Sequence, residues 1–274
     1  MPLNVADFEF VRTLVSKRSA IVLDSEKSYL VESRLVPVAK SIGLATTSDL
    51  VAHLRSSPSS GLHQKVVEAM TTNETSFFRD IHPFEAFKNV VVPDMLKRRE
   101  STRQLRIWCG ASSTGQEPFS LAMLLRDDFP CLKSWSVRII ATDLSDNVLE
   151  KARRATFSQL EVNRGLPASY LVKYFERRGL EWRLKDEICS MVEFGKLNLI
   201  ESWPAMPPLD VVFLRNVLIY FDVPTKKQIL AKVRAGMRSD GYFFLGGAET
   251  TLNLDDKFER LDFDRAGCYR LKSK

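Results

Sequence analysis

Apolar residues recur at helical spacing over the first 70 residues of the chain. Phe8, Val11 and Val15 form the first apolar stripe. Asn4 precedes this stripe as a candidate N-cap. Further amphipathic segments follow at residues 25–43, 49–54 and 62–70. Together these segments predict a small all-α domain, which we assign to residues 1–72.

The pattern changes at Leu105, where short apolar runs begin to alternate with helical segments. LRIWC, a Gly/Ser/Thr-rich turn, PFSLAMLLRDDF and VRIIATDL predict strand, loop, helix and strand, the repeating unit of a parallel sheet. DVVFL, the helix after it and GYFFLGG continue the alternation. We therefore predict a doubly wound α/β domain over residues 105–274, with residues 73–104 as a linker and its first helix.

An insertion at residues 156–190 interrupts this alternation after the second strand. It is rich in aromatic and basic residues and too short to be an independent domain. The chain has 40 basic and 34 acidic side chains, a net charge of +6, and residues 151–185 alone hold nine basic and three acidic ones. A basic surface makes nucleic acid a partner to consider, without establishing one.

The composition is that of an ordinary globular protein. A chain of 274 residues, 45% hydrophobic and 27% charged, excludes collagen, low-complexity disorder and disulfide miniproteins. No segment comes close to the run of about 18 apolar residues that a membrane-spanning helix requires. MPLNVADFEF carries acids where a secretory signal carries basic residues, so we expect a cytoplasmic protein without membrane insertion. The four cysteines form no CxxC pair and the three histidines lack metal spacing, so no metal site is expected.

Polar residues stand directly after the predicted strands, where a doubly wound sheet binds its ligands. The turn CGASSTGQEP has glycines for close backbone approach but lacks the GxGxxG spacing of a dinucleotide site. Asp143 follows the second strand, placed to accept hydrogen bonds from a ribose diol or to cap the next helix. Asn198 follows the third strand, and Arg215 and Asn216 follow the fourth. These positions indicate a nucleoside-sized pocket without a phosphate cradle.

Glu117 lies in the first turn of the helix predicted after the glycine-containing turn. The helix dipole stabilises a carboxylate at this position, which is a sufficient structural role. The carboxylate is equally suited to face a cationic ligand group such as a sulfonium or an ammonium. S-adenosylmethionine is a nucleoside that carries both groups.

The segment TTNETSFFRD joins the two predicted domains. Asn73 or Thr75 is placed to cap a helix. Arg79 is placed to form an ion pair with Asp80 or Glu74. The pattern alone leaves this structural interpretation and a functional one equally open.

Four motifs resemble one family when they are taken together. NETSFFRD, CGASSTGQEPFSLAMLL, ATDLSDNVLEKAR and FLRNVLIYFD resemble the CheR-type chemotaxis receptor methyltransferases, in the same order and over nearly the whole chain. The resemblance implies a Rossmann-like class I methyltransferase domain with a small inserted β-subdomain. It also implies methyl transfer from S-adenosylmethionine to glutamate side chains of chemoreceptors, with S-adenosylhomocysteine as the other product.

The resemblance also implies which residues form the site. The positions that match the family's catalytic residues are Arg79 and Tyr220. The positions that match its cofactor contacts are Asn73, Thr75, Arg79, Glu117, Asp143, Asn198, Leu199, Arg215 and Asn216. Leu199 is the one position that the pattern alone would assign to the core.

The chain departs from the family pattern in two places. The stretch RLVPVAK, at the receptor-docking helix, keeps only Arg34 and Lys40 as basic residues, so receptor contact is expected to involve other surfaces. The insertion resembles a subdomain that clamps a receptor pentapeptide in some relatives, but its turn is short. We therefore expect no pentapeptide tether. The partner implied is the cytoplasmic helical domain of chemoreceptors, and the enzyme is expected to be a monomer.

Three other functions are compatible with the predicted fold and disfavoured by the residues. A nucleic-acid methyltransferase is disfavoured because no DPPY or NPPF type of motif follows the fourth strand. A nicotinamide oxidoreductase is disfavoured by the missing GxGxxG. A non-catalytic binding module on the same fold is disfavoured by the complete set of polar positions.

Overall fold

The computed structural model describes residues 3–57 and 61–272. The chain divides into two compact units. One unit holds the chain through Thr72 together with Tyr220–Thr225. The other holds Asn73–Ile219 and the chain from Lys226 onward.

The first unit is helical, as the apolar periodicity predicts. Its helices are α1 (Val5–Ser19), α2 (Ser28–Ser41), α3 (Thr47–Ser56) and α4 (Gly61–Met70). The side chain of Asn4 accepts a hydrogen bond from the backbone N–H of Asp7 at 2.8 Å, which confirms the predicted N-cap of α1. Buried side chains such as Leu35 and Leu50 form the core of this unit.

Arg34 of α2 is bonded to the end of a neighbouring helix. Its Nη1 donates to the carbonyl oxygen of Met70 at 2.7 Å, and its Nη2 donates to Oγ1 of Thr72 at 3.0 Å. A cation at the last turn of α4 meets the negative end of the helix dipole. One of the two basic residues of RLVPVAK therefore has a structural role within this unit.

The second unit contains two sheets. Their strands are β1 (Gln104–Gly110), β2 (Ser136–Asp143), β3 (Thr156–Ser158), β4 (Phe175–Arg178), β5 (Glu181–Leu184), β6 (Val192–Lys196), β7 (Leu209–Phe213), β8 (Met237–Leu245), β9 (Phe258–Arg260) and β10 (Gly267–Leu271). The larger sheet has the order β6-β2-β1-β7-β8-β10-β9. Neighbouring strands from β6 to β8 are parallel, and β10 pairs antiparallel with β8 and β9.

Helices alternate with these strands, as predicted. Those that follow α4 along the chain are α5 (His82–Ala86), α6 (Val92–Arg98), α7 (Gln116–Asp128), α8 (Asp146–Arg154), α9 (Gln159–Asn163), α10 (Ala168–Tyr174), α11 (Asp186–Cys189) and α12 (Val223–Gly236). Every residue of β7 is buried, as expected for a parallel strand covered on both faces. The predicted doubly wound α/β fold with a preceding helical part is confirmed. None of the described helices has the length and apolar character to cross a membrane.

The insertion forms the smaller sheet, in the order β3-β5-β4. Phe77, from the segment NETSFFRD, packs edge-on against Phe157 of β3 and Phe175 of β4, with ring centroids 5.0 and 5.7 Å apart. Phe78 stacks on Tyr170 of α10 at 5.3 Å. The inserted subdomain therefore packs directly on the segment that contains Arg79.

Candidate active site

The loops after β1, β2, β6 and β7 lie at one edge of the sheet. The chain leaves β1 between neighbours β2 and β7, which is where a doubly wound sheet opens a ligand crevice. Strained backbone gathers at this edge. Of eleven described non-glycine residues with positive φ, six lie here: Phe78, Asp80, Ile81, Ala111, Ser113 and Asn216. Such strain persists where the surrounding contacts enforce it and is concentrated at functional sites.

Asp143 ends β2 and is 7% exposed. Its Oδ2 accepts a hydrogen bond from the backbone N–H of Ser113 at 2.8 Å, and its Oδ1 accepts one from Ser145 at 3.0 Å. The carboxylate thus joins the loops after β1 and β2, and both donors fix its orientation. Ser145, not Asp143, is the N-cap residue of α8, although its side chain makes no capping hydrogen bond.

Arg215 follows β7, and its side chain is only 2% exposed. Its Nη1 donates to Glu117 at 2.7 Å, and its Nη2 donates to Asp80 at 2.8 Å and to the carbonyl oxygen of Arg79 at 3.0 Å. The guanidinium also lies over the ring of Phe84, 5.8 Å from its centroid. Arg215 therefore connects the end of β7, the start of α7 and the segment before α5.

Glu117 lies in the first turn of α7 with a side chain that is 12% exposed. Burial raises the pKa of its carboxyl above the ordinary value, although the neighbouring Arg215 acts in the opposite direction. In the structure its cationic partner is Arg215 itself. A second cation nearby would further stabilise the ionised carboxylate.

Arg79 is half-buried, and its Nη1 donates to the carbonyl oxygen of Glu74 at 2.9 Å. Neither predicted carboxylate partner binds it, because Asp80 pairs with Arg215 and Glu74 pairs with Arg164 of the insertion. Of the two interpretations that the pattern left open, the structural one, in which Arg79 pairs with one of these carboxylates, is therefore wrong. One of the five guanidinium N–H donors forms the described bond.

Asn73 and Thr75 do not cap a helix. The next helix, α5, begins at His82 with Ile81 as its N-cap residue, so the capping interpretation is wrong. The backbone oxygen of Asn73 accepts a hydrogen bond from the hydroxyl of Ser113 at 2.7 Å. This bond attaches the Asn73 segment to the turn after β1.

Asn198 and Leu199 form the loop after β6. The Asn198 side chain accepts from the backbone of Ile200 at 3.3 Å and donates to Glu201 at 3.0 Å. Leu199 is buried, as its apolar character suggests. Its carbonyl oxygen accepts hydrogen bonds from Trp203 Nε1 at 3.2 Å and from Nζ of Lys232 at 3.0 Å.

Three residues that support the site were missed by the sequence reasoning. They are Ser113, which joins two loops, Lys232, which donates to three successive carbonyls, and Glu249, which binds the Arg215–Asn216 loop. Glu249 follows β8, so the rule that polar residues after strand ends are candidates would have found it. Lys232 lies in the middle of α12 and has no such signal.

Tyr220 belongs, by its contacts, to the helical unit. It ends a short 3₁₀ turn, Leu218–Tyr220, and its carbonyl oxygen accepts a hydrogen bond from Val22 at 3.0 Å. Its assignment as a catalytic residue stays a prediction.

The residues at the sheet edge fit S-adenosylmethionine. A fixed carboxylate, Asp143, suits a ribose diol, and the buried Glu117 suits an ammonium or sulfonium group. The hydroxyl of Ser112, in the turn after β1, is buried and has no hydrogen-bond partner, as expected where a polar ligand binds. Among the described residues, no cluster of His, Cys, Asp and Glu has the arrangement of a metal site.

Comparison with known proteins identifies the family. Residues 73–266 match the family described as CheR methyltransferase, SAM binding domain, and residues 6–71 match CheR methyltransferase, all-alpha domain. The chain is 41% identical over 273 residues to chemotaxis protein methyltransferase 1 of Pseudomonas aeruginosa, covering 97% of this chain and 98% of that protein. It is 38% identical over 271 residues to chemotaxis protein methyltransferase Cher2 of Pseudomonas putida, with the same coverage of both chains.

A third relative is chemotaxis protein methyltransferase 1 of Vibrio cholerae, 37% identical over 268 residues and covering 96% of each chain. Among solved structures, a complex of DhpI with SAH overlaps 70% of this chain and 74% of its own at 16% identity and a TM-score of 0.34, which is too weak an overlap to carry an argument. The family match spans both units and includes every motif at the sheet edge. The chain therefore belongs to the CheR methyltransferase family and is an S-adenosylmethionine-dependent methyltransferase.

Proposed function

We propose that this enzyme transfers the methyl group of S-adenosylmethionine to glutamate side-chain carboxylates of chemoreceptors, the methyl-accepting chemotaxis proteins. The products are a glutamate 5-O-methyl ester and S-adenosylhomocysteine, and the role is adaptation in bacterial chemotaxis. The observation that carries the proposal is the group of Arg79, Glu117 and Arg215 at the carboxyl ends of the strands. Relatives named chemotaxis protein methyltransferase, similar over almost their full length, support the same substrate.

The chemistry requires no general base. A glutamate carboxylate has an ordinary pKa of about 4.3, so it is ionised at neutral pH and is already a nucleophile. Bound S-adenosylmethionine supplies a methyl group on a positively charged sulfur, so attack by the carboxylate leaves two neutral products and no proton has to move. The protein has to hold the carboxylate in line and exclude water, so positioning supplies most of the acceleration.

We assign Arg79 to the incoming carboxylate. Its guanidinium is anchored at one nitrogen by the carbonyl oxygen of Glu74 and is half-buried, so its remaining donors are partly shielded from water. Arginine binds the charged ground state as well as the transition state, so its main effect is orientation. Tyr220 is assigned a hydrogen bond to the same carboxylate on the family resemblance alone.

We assign two cofactor contacts by their chemistry: Asp143 accepts from the ribose diol and Glu117 faces the methionine ammonium. The other contacts are assigned on the family resemblance. The complete set proposed to bind the cofactor is Asn73, Thr75, Arg79, Glu117, Asp143, Asn198, Leu199, Arg215 and Asn216.

The proposed partner is the cytoplasmic helical domain of the receptors, engaged by a cytoplasmic monomer without a pentapeptide tether and without nucleic acid. The basic surplus of residues 151–185 would steer the enzyme toward an acidic helical protein. Several basic residues of this range form ion pairs with acidic residues outside it, and these pairs reduce the effective positive charge of the surface. The pairs are Arg154 with Glu150, Arg164 with Glu74, Lys173 with Asp127 and Arg183 with Asp186. We therefore expect only a modest weakening of receptor methylation by salt.

The deciding experiment uses the stability of the product in base. The enzyme is incubated with methyl-labelled S-adenosylmethionine and either a membrane fraction containing chemoreceptors or nucleic acid. A glutamate methyl ester releases labelled methanol in base, whereas N-methyl and base-methyl products keep the label. We expect base-labile label on the receptor fraction only. Base-stable label, or label on nucleic acid, would refute the proposed substrate.

A further inference from the structure

Glu249 is a buried carboxylate, 8% exposed, in the loop after β8. It accepts hydrogen bonds from four backbone N–H groups. Oε2 accepts from Asn216 at 2.7 Å and Gly246 at 2.7 Å, and Oε1 accepts from Val217 at 2.9 Å and Leu218 at 2.6 Å. A single side chain therefore satisfies three successive amides of the loop after β7 and one amide of its own loop.

The backbone of both loops is shaped around this carboxylate. Asn216 has φ of +58°, in the left-handed region, which helps three successive N–H groups to converge on one anion. Gly246 has no room for a side chain, because a Cβ there would lie 2.6 Å from Nδ2 of Asn216 and 2.8 Å from Oε2 of Glu249. The backbone conformation of both loops therefore depends on this buried contact.

The loop that Glu249 holds begins with Arg215. Because Asn216 is the next residue, its bond to Glu249 holds the backbone directly after Arg215 in place. That side chain carries the bonds to Glu117 and to the carbonyl oxygen of Arg79. Loss of the Glu249 carboxylate would leave four buried or half-buried N–H groups, three of them in this loop, without their acceptor and release this geometry.

We propose that Glu249 is a positioning residue, whose carboxylate holds the loop 215–218 so that Arg215 and Asn216 are presented to S-adenosylmethionine. Glu249 acts through the backbone and is not proposed to touch the cofactor. The inference rests on the proposed assignment of Arg215 and Asn216 as cofactor contacts. It does not depend on which molecule accepts the methyl group.

The test measures S-adenosylhomocysteine binding by calorimetry, so no receptor is needed. Glu249→Gln keeps the size of the side chain but places an amide NH₂ against two backbone N–H groups. We expect this variant to raise the dissociation constant about tenfold. Glu249→Ala should raise it further. The control is Glu259→Gln, which should leave the dissociation constant unchanged. Glu259 is a carboxylate on β9 that pairs with Arg270.

A merely structural role would give a different result. Lower stability reduces the fraction of folded protein but does not change the dissociation constant of the folded molecules when measurements are made well below the melting temperature. A folded Glu249→Gln protein that binds within twofold of the unchanged enzyme would overturn the proposal. If that variant does not fold, Glu249→Asp is measured instead, because its shorter side chain cannot reach all four amides. The same twofold limit on the dissociation constant applies.

Discussion

Two arginine clusters lie at opposite ends of strand β7 and differ in their hydrogen bonds, in the pKa of their carboxylates and in the strain of the nearby backbone. At its amino end, Arg99 donates from Nε to Asp210 at 2.7 Å and from both Nη atoms to Asp240 at 2.9 and 2.6 Å. Just beyond its carboxyl end, Arg215 binds Glu117 and Asp80 through its Nη atoms, while its buried Nε has no hydrogen-bond partner. All three guanidinium nitrogens of Arg99 donate a hydrogen bond, whereas the Nε of Arg215 does not.

The two clusters also differ in the state of their carboxylates. The hydrogen bonds from Arg99 lower the pKa of Asp240 below its ordinary value. Burial raises the pKa of Glu117 despite Arg215 beside it. Positive φ values surround the Arg215 cluster, at Asp80 and Asn216 among others. The difference indicates that the amino end of the sheet is built for stability, while the carboxyl end keeps incompletely compensated polar groups that a ligand can complete.

The largest expected effect comes from breaking the amino-end cluster. Arg99→Met removes the more buried of the two arginines that pair with Asp210, which is 1% exposed and keeps Arg238 at 3.2 Å, so we expect a loss of about 3 kcal/mol in the free energy of unfolding. Urea unfolding measures this loss. The S-adenosylmethionine KM of the folded protein should not change, because the cluster lies at the opposite end of β7.

The control is Arg138→Met. Arg138 on β2 also binds one carboxylate, Glu193, with two hydrogen bonds, but its side chain is 49% exposed. Its loss should change the free energy of unfolding far less than the loss of Arg99, because water already surrounds the Arg138–Glu193 pair. Equal losses in the two variants, or a raised KM in Arg99→Met, would remove the distinction between the two ends of the strand.

The next effect concerns activity rather than stability. Arg79→Ala removes the group proposed to orient the substrate carboxylate, so we expect kcat for receptor methylation to fall about a hundredfold. The free energy of unfolding should change by no more than about 1 kcal/mol, because the described contact of the side chain is one hydrogen bond to Glu74. Near-native turnover in a folded Arg79→Ala protein would contradict the assignment, and Arg138→Met again serves as the control.

The smallest effect is the opposite pH dependence of the two clusters. Asp240, with a lowered pKa, contributes stability that is present above its unfolded-state pKa and lost as the pH falls through its folded-state pKa. The cost of Asp240→Asn, about 1–2 kcal/mol at pH 7, should therefore shrink on acidification. Glu117, with a raised pKa, binds a proton more tightly when folded, so the protein gains stability relative to Glu117→Gln as the pH falls.

Urea unfolding of both variants at several pH values between neutrality and about pH 3 measures these slopes. Slopes of the same sign for Asp240→Asn and Glu117→Gln would show that the two carboxylates are in equivalent environments.

The order of elements could be predicted because their periodicity is local. Helical spacing of apolar residues predicted α1 to α4, and short apolar runs predicted the parallel strands. The positions of Asp143, Asn198 and Arg215 after strand ends followed from the same alternation, since ligands of such sheets bind at those ends. The family motifs added a functional assignment to the segment with Arg79, for which the pattern itself left a structural and a functional interpretation equally open.

The pairing of these residues was decided by the tertiary structure. Arg215 binds Glu117 and Asp80, which are 98 and 135 positions away, and Arg99 binds Asp240 across 141 positions. No local pattern encodes such a distance, so the sequence led instead to nearby partners for Arg79, which the structure does not support. The chain by itself therefore determined which elements form and which polar residues stand at their ends, through periodicity and strand direction. Only the folded sheet decided which charges meet, because burial and long-range packing select the partners.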